Sequence, residues 1–423
     1  MGRSRFLPLP LIAALAVACG GEEIQWAGSV SDSAGIAIVS NPAEGMWGGE
    51  ADWRVEEEVR IGALEGEPDY QFGQVGGVAV DSEGRIFVLD VQAQQIKIYT
   101  ADGAYERTIA QRGGGPGELQ GAFFILMAEG DTLLVPDVQN QRINRYAPDG
   151  SSLGSFRLSL EDGLPLQFRA TGSGLLAKQV RPFAFPGQPE IENPMDRIER
   201  FGADGAVLDT LMTFESGETF RLAGGAPEFN IYSPEPTWDI GDDGNLYFAI
   251  NDDYRIKAFS AEGALERIIT KPFEKAPVTE RDKEAMLGFM ERAWRDAGVP
   301  AEVLGRLSNA VHFGDYFPAF ASIVAGPVGT LWVQHIKTTA DLSDEEYESF
   351  NPIEDTGGSE WDVFDAAGRY LGVVEMPHRF TPRLIRGERI YGVSRDELDV
   401  QYVTRLRVVG IQEYQERWGE AAD

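Results

Sequence analysis

Hydrophobic and polar positions alternate in short runs along this chain, and small turns break the runs at close intervals. Residues 78–103 read VAVDSEGRIFVLDVQAQQIKIYTADG: an alternating stretch, a turn, the apolar run Ile86-Phe87-Val88-Leu89, a polar loop, and a second stretch ending in Asp-Gly. Residues 125–150, ILMAEGDTLLVPDVQNQRINRYAPDG, repeat this grammar, and both copies share Asp-Val-Gln-x-Gln-x-Ile-x-x-Tyr-x-x-Asp-Gly from Asp90 and from Asp137. A third clear copy is 238–263, WDIGDDGNLYFAINDDYRIKAFSAEG. Weaker copies lie at 175–180 with 197–205, at 322–335 with 361–368, and at 384–394 with 403–410, making six. Period-two alternation punctuated by Gly turns predicts antiparallel meanders rather than helices.

A four-stranded meander repeated around an axis is a propeller blade, buried on both faces by its neighbours. The expected fold is therefore all-β, a six-bladed β-propeller of four-stranded antiparallel blades over 35–423. The last copy supplies three strands near 382–410, and Trp53–Ile61 resembles a fourth strand in its place before a Gly-rich loop. The N-terminal strand is thus expected to complete the last blade and remove two open edges. Gly35–Val39 is a further strand candidate. The long segments, about 62–76, 111–121, 181–196, 212–236, 271–317 and 336–360, all fall between strands two and three or between blades. In an up-and-down blade those connections share one face, and long loops in compact domains carry function. The largest is helical, over about 278–313. Thr279-Glu280-Arg281-Asp282 predicts a capped start, Met286, Phe289, Met290, Ala293 and Trp294 form one stripe, and Gly298 ends the helix. Pro300 then opens a second helix carrying Val303, Leu304, Leu307 and Val311. The pair reads as a lid over one side of the propeller mouth, its stripe packed on the blades.

The pattern Gly-x-(Ile/Leu)-(Phe/Tyr)-Val-x-Asp followed by Ile-x-x-(Tyr/Phe)-x-x-Asp-Gly resembles NHL-type repeats, and the chain over most of 35–411 is similar to bacterial six-bladed β-propeller lipoproteins. Arg112-Gly113-Gly114-Gly115-Pro116-Gly117-Glu118 after the first blade adds to the likeness. Some six-bladed relatives are enzymes. Gluconolactonase-like propellers hold a divalent metal in the channel with Glu, Asn and Asp, and amidating-lyase-like ones hold zinc with histidines.

The start of the chain speaks to location. Arg3 and Arg5 precede the apolar run Phe6–Val17, which is too short for an ordinary transmembrane helix. Leu15-Ala16-Val17-Ala18-Cys19-Gly20 resembles a bacterial lipobox, in which Cys19 is lipidated and becomes the new N-terminus. Residues 1–18 are then a signal peptide and 19–34 a flexible tether. Cys19 is the single cysteine, so a disulfide framework is ruled out. The expected location is the cell envelope, at the outer membrane or the periplasmic side in a Gram-negative host.

Composition narrows the partners. The 423 residues carry 68 acidic and 37 basic side chains, a formal net charge of −31. Such a surface makes nucleic acid an improbable partner and works against attachment to anionic lipid, leaving the lipid anchor as the membrane contact. A chain 43% hydrophobic with interspersed charge is folded rather than disordered.

Residues where strand two meets its loop are expected to ring the mouth: Asp90, Asp137, Lys178 with Arg181, Asn251, His335, and Ser394 with Arg395. With Arg112 from the Gly-rich segment, they form the candidate binding set for a polar ligand. Asp90 and Asp137 equally suit capping of backbone N–H groups in their own turns. His312, His335 and His378 match no zinc spacing. The Gly113–Gly117 stretch lacks the Lys-Ser/Thr ending of a phosphate loop. The leading reading is a monomeric, non-catalytic binding propeller with no cofactor, taking a protein, peptide or glycan. The alternative is a metal-dependent hydrolase or lyase with a divalent cation in the channel, and no inner-strand Glu clearly completes that site.

Overall fold

The computed structural model describes residues 26–48, 51–184, 191–223 and 226–412. Six sheets form the blades, and each begins with its innermost strand. Blade 1 comprises Val75–Val80, Ile86–Asp90, Gln95–Tyr99 and Tyr105–Ile109, and blade 2 comprises Leu126–Ala128, Thr132–Asp137, Arg142–Tyr146 and Ser152–Arg157. Blade 3 runs Leu164–Ala170, Leu176–Arg181, Met195–Phe201, Val207–Glu215, and blade 4 runs Pro236–Ile240, Leu246–Ile250, Arg255–Phe259, Leu265–Thr270. Blade 5 is Ser322–Ala325, Leu331–Ile336, Gly357–Phe364, Tyr370–Glu375. Blade 6 takes Phe380–Arg386, Arg389–Arg395 and Gln401–Val409 from the end of the chain and Arg54–Ile61 from its beginning. The fold is a six-bladed β-propeller closed by that N-terminal strand, in antiparallel register from Val409↔Arg54 to Val403↔Ile61.

Second strands such as Ile86–Asp90 are apolar up to their last residue because both faces of a blade are covered by neighbours. Phe87, Leu89, Ile96 and Ile98 of blade 1 pack with Met127, Leu133, Val135 and Tyr146 of blade 2 in one core cluster. The tight turns are built by their acids. Asp81 accepts from the N–H groups of Glu83 and Arg85 and pairs with the Arg85 guanidinium at 2.7 Å. Asp365 does the same for Ala367 and Arg369.

The N-terminal segment wraps three blades. Ile36–Ser40 lies parallel to the outer strand of blade 4, and Ser29–Ser33 pairs outside it, so order begins before Gly35. The Asn41 amide donates to the Thr270 and Gly368 carbonyls and accepts from the Tyr370 N–H. Trp47 N–H donates to the Leu371 carbonyl of blade 5. Trp47 and Trp53 then meet at a tilt, with centroids 5.4 Å apart, and Trp53, just before the blade 6 strand, stacks on Trp332 of blade 5 at 6.4 Å.

The insertion after blade 4 contains helices α1 (Glu280–Asp296) and α2 (Ala301–Ser308). The expected cap is present: Thr279 and Asp282 form a capping box. Gly298, at φ +79°, closes α1 with bonds from its own N–H to Arg295 and from Val299 N–H to Trp294. Val311 is not helical as expected. Val311–Phe313 is a strand paired in parallel with Ala226–Ile231, which in turn pairs with Phe220–Ala223. This small sheet joins two of the long connections, and Trp294 of α1 packs on Phe229 within it. A third helix, α3 (Asp344–Ser349), lies in the long connection of blade 5. No helix of the described residues is long and apolar enough to cross a membrane.

Candidate functional site

Each inner strand is hydrogen-bonded on one side only, and its other edge faces the axis. The connections between strands two and three and between blades meet on one end of this axis. There they touch one another. Asp282 at the start of α1 accepts from the Thr339 N–H and hydroxyl in the blade 5 connection, at 2.9 and 2.7 Å. Arg281 pairs with Asp344 of α3 and lies over the Tyr347 ring.

The residues expected to ring this mouth are engaged locally. Asp90 accepts from the N–H groups of Gly73, Gln74 and Ala93, and Asp137 from those of Gln120, Gly121 and Asn140. Asn251 accepts from Glu235 N–H and donates to the Phe320 carbonyl, which fixes the step from blade 4 to blade 5. Lys178 sits 3.5 Å from Glu199, and Arg181 grips the buried Asp196. Arg112 donates to the Gln92 carbonyl, and Arg395 pairs with Glu354 at 2.8 Å. Burial pushes the Glu354 carboxyl above its ordinary value. Ser394 shares a hydrogen bond with Thr404. The Gly-rich loop is filled by its own acid, because the Glu118 carboxylate accepts from Gly115 N–H and a Cβ on Gly113 would meet it at 2.2 Å. Cys19 lies outside the described residues.

His335 joins a buried polar hub. Its Nε2 is 3.0 Å from Asp362, which also receives Tyr254 (2.5 Å), Tyr370 (2.7 Å) and the Lys271 ammonium (2.7 Å). Burial alone would raise the Asp362 carboxyl; His335 and Lys271 outweigh it and hold the group well below the usual carboxylate range. Lys271 also lies 4.2 Å from the centre of the Tyr370 ring. The hub joins blade 4 to blade 5.

The axis itself holds a cavity of about 80 Å³, lined by the inner strands of blades 1, 2, 3 and 6. Three of its lining residues are Arg169, Arg383 and Arg386. Arg169 Nε donates to Asp239 of blade 4 at 2.7 Å, and Asp239 also accepts from Ala325 N–H of blade 5 at 2.9 Å. One carboxylate thereby ties three blades across the channel. Arg386 donates to the Asp81 carbonyl, and its Nε is buried without a partner. Arg383 has no hydrogen-bond or ion-pair partner among the described residues. Its surface is open to solvent, yet loss of bulk water leads the effects that lower its guanidinium pKa, with Arg169 and Arg395 adding like-charge repulsion. A side chain facing a narrow channel has both properties. Sequence reasoning looked to the ends of second strands and passed over these first-strand arginines. The signal was available in Phe380-Thr381-Pro382-Arg383-Leu384-Ile385-Arg386, where two cations sit in a strand that must line the axis.

Among the described residues no group of three or more His, Cys, Asp or Glu side chains is placed to hold a metal ion. The cavity presents guanidinium groups, and Asp239 beside it is spent on Arg169 and Ala325. This donor set does not fit a divalent cation.

A family model described as a 6-bladed beta-propeller matches residues 57–166. No curated protein matches the chain. Among solved structures, the chain is similar to a putative exported protein from Bacteroides fragilis, at 11% identity over 88% of this chain and 99% of that one, with a TM-score of 0.49. It is also similar to a virginiamycin B lyase from Staphylococcus aureus (13% identity, 84% and 99% covered, TM-score 0.40). A gluconolactonase from Xanthomonas campestris gives 14% identity, 80% and 87% covered, and a TM-score of 0.38. Identities this low carry no activity across.

Proposed function

We propose that the chain is a non-catalytic binding propeller, exported and lipid-anchored at the cell envelope through Cys19, that docks a protein or peptide partner on its elaborated face. The observation that carries this reading is the distribution of exposed apolar side chains. Leu64, Phe123, Tyr316, Ile353 and Leu398 lie on the connections of that one face and Ile250 ends a strand that leads into one, with Leu398 71% and Ile353 59% exposed. Isolated apolar residues on a surface mean little, but several presented by the long connections of one face favour a contact site. The strongly acidic surface discourages non-specific association.

The test is proximity crosslinking in the envelope of the native host, with the full chain and two variants. Phe123→Asp with Leu398→Asp should abolish the specific crosslinked species. Leu208→Asp, on the outer strand of blade 3, should leave it intact. An unchanged species in the double variant, with its fold verified by circular dichroism, would overturn the docking face.

A further inference from the structure

We propose that the central channel binds a doubly charged oxyanion, the phosphate group of inorganic phosphate or of a phosphate monoester, through Arg383 with Arg169 and Arg386. The inference is independent of the docking face.

Charge balance comes first. Three guanidinium groups line one cavity, and the carboxylate of Asp239 answers one of them. A surplus of two positive charges is left in a chain whose formal net charge is −31. Cations in a confined site cost free energy unless paired, so folded proteins rarely leave them so. Arg383 keeps contact with solvent but has no protein counter-charge among the described residues. It sits at the middle of its strand, without a partner among the described residues, between Arg395 near the elaborated mouth and Arg169 toward the far end. Among the described residues nothing uses its five N–H donors. Arg386 lines the same cavity and brings a third guanidinium group to its wall.

Geometry and size agree. Guanidinium groups present paired N–H donors that match the oxygens of phosphate. The free edges of the inner strands add backbone N–H groups around the axis. A water needs roughly 10–15 Å³ of such space, so about 80 Å³ admits several waters or one tetrahedral oxyanion. A dianion cancels the surplus charge; a monoanion leaves half of it.

The experiment is thermal unfolding and titration calorimetry of the full chain, with inorganic phosphate and glucose 6-phosphate as probes and chloride at matched ionic strength as control. Phosphate should raise the unfolding midpoint by several degrees at saturation, where chloride does not. Protection by both probes identifies the free dianion as sufficient; protection by glucose 6-phosphate alone assigns the site to a monoester. Arg383→Gln should weaken binding at least tenfold, and Arg383→Lys, which keeps the charge and loses the fork, should fall between. Without ligand, Arg383→Gln should unfold at the wild-type midpoint or above it, because it removes a cation that Arg169 and Arg395 repel and that no partner among the described residues holds. A lower midpoint would make Arg383 a structural residue and overturn the proposal, as would the absence of protection by either probe.

Discussion

At the scale of single residues, the hub around Asp362 concentrates the most polar chemistry in the least space. Lys271, Tyr254, Tyr370 and His335 all converge on one carboxylate that is itself fully buried. Removing one partner of a buried ion pair costs about 3–5 kcal/mol, and Asp362→Ala should destabilise the chain by that order in urea unfolding. The pH dependence follows from the direction of the shift. The folded-state pKa lies below the ordinary value of 3.8. Asp362 therefore contributes its full stability above that value and loses it as pH falls further, through the folded-state pKa. Midpoints measured from pH 6 down to pH 2 should fall steeply in the wild type and less steeply in Asp362→Asn. A second residue stands out for strain. Val328 adopts φ 50°, ψ 39° in the tight turn of blade 5, a left-handed conformation in which a β-branched side chain is rare. Val328→Asn should relieve about 1 kcal/mol, seen as a higher unfolding midpoint. Neither feature was legible in the sequence. His335 alone gave no sign of the three other groups on Asp362, because they come from strands and loops of two blades.

Among elements, legibility followed locality. The Asp-Gly turns, the second strands and the α1 cap were all readable, because each is written in fewer than ten consecutive residues. Ala226–Ile231 pairing with Val311–Phe313 was not readable, since the partners are remote and parallel. Helical spacing at Val303, Leu304 and Leu307 continues to Val311, but that strand partner ends the helix at Ser308. The cap of α1 now has a larger role than helix termination. Asp282 satisfies its own helix end and also holds Thr339 of the blade 5 connection. Asp282→Ala should cost more than the roughly 1 kcal/mol of an ordinary lost cap. Hydrogen exchange should then quicken both at the start of α1 and around Thr338–Leu342. Faster exchange in α1 alone would mean that the two connections are not coupled.

For the whole molecule, the number of blades and the closing strand were legible because repetition is a property of the sequence itself. The channel chemistry was legible only as two arginines on one inner strand, since which side chains share the axis with them depends on closing the ring. Closure makes the two ends of the chain one joint. A variant lacking residues 26–61 and one truncated after Val400 lose opposite halves of the same ladder. Both should give broad, non-cooperative calorimetric transitions, whereas removal of 26–33 alone should keep a sharp one. A sharp transition in either of the first two would refute closure as the source of cooperativity.

The closing strand also sets a timetable. Arg54–Ile61 emerges from the ribosome well over three hundred residues before its partner Gln401–Val409. At about 5–20 residues per second, the early strand waits on the order of tens of seconds for its mate. An unpaired strand in that interval is open to pairing with any other chain. Its sequence answers the hazard. Glu56, Glu57 and Glu58 interrupt its apolar residues, and charge of this kind deters unwanted strand pairing. The eventual neighbours are basic: Glu56 meets Arg407, and Glu58 meets Arg389 and Arg405. Such partly exposed pairs add little stability. What they supply is an address, keeping the first strand of the propeller apart from strangers until its own C-terminal blade arrives.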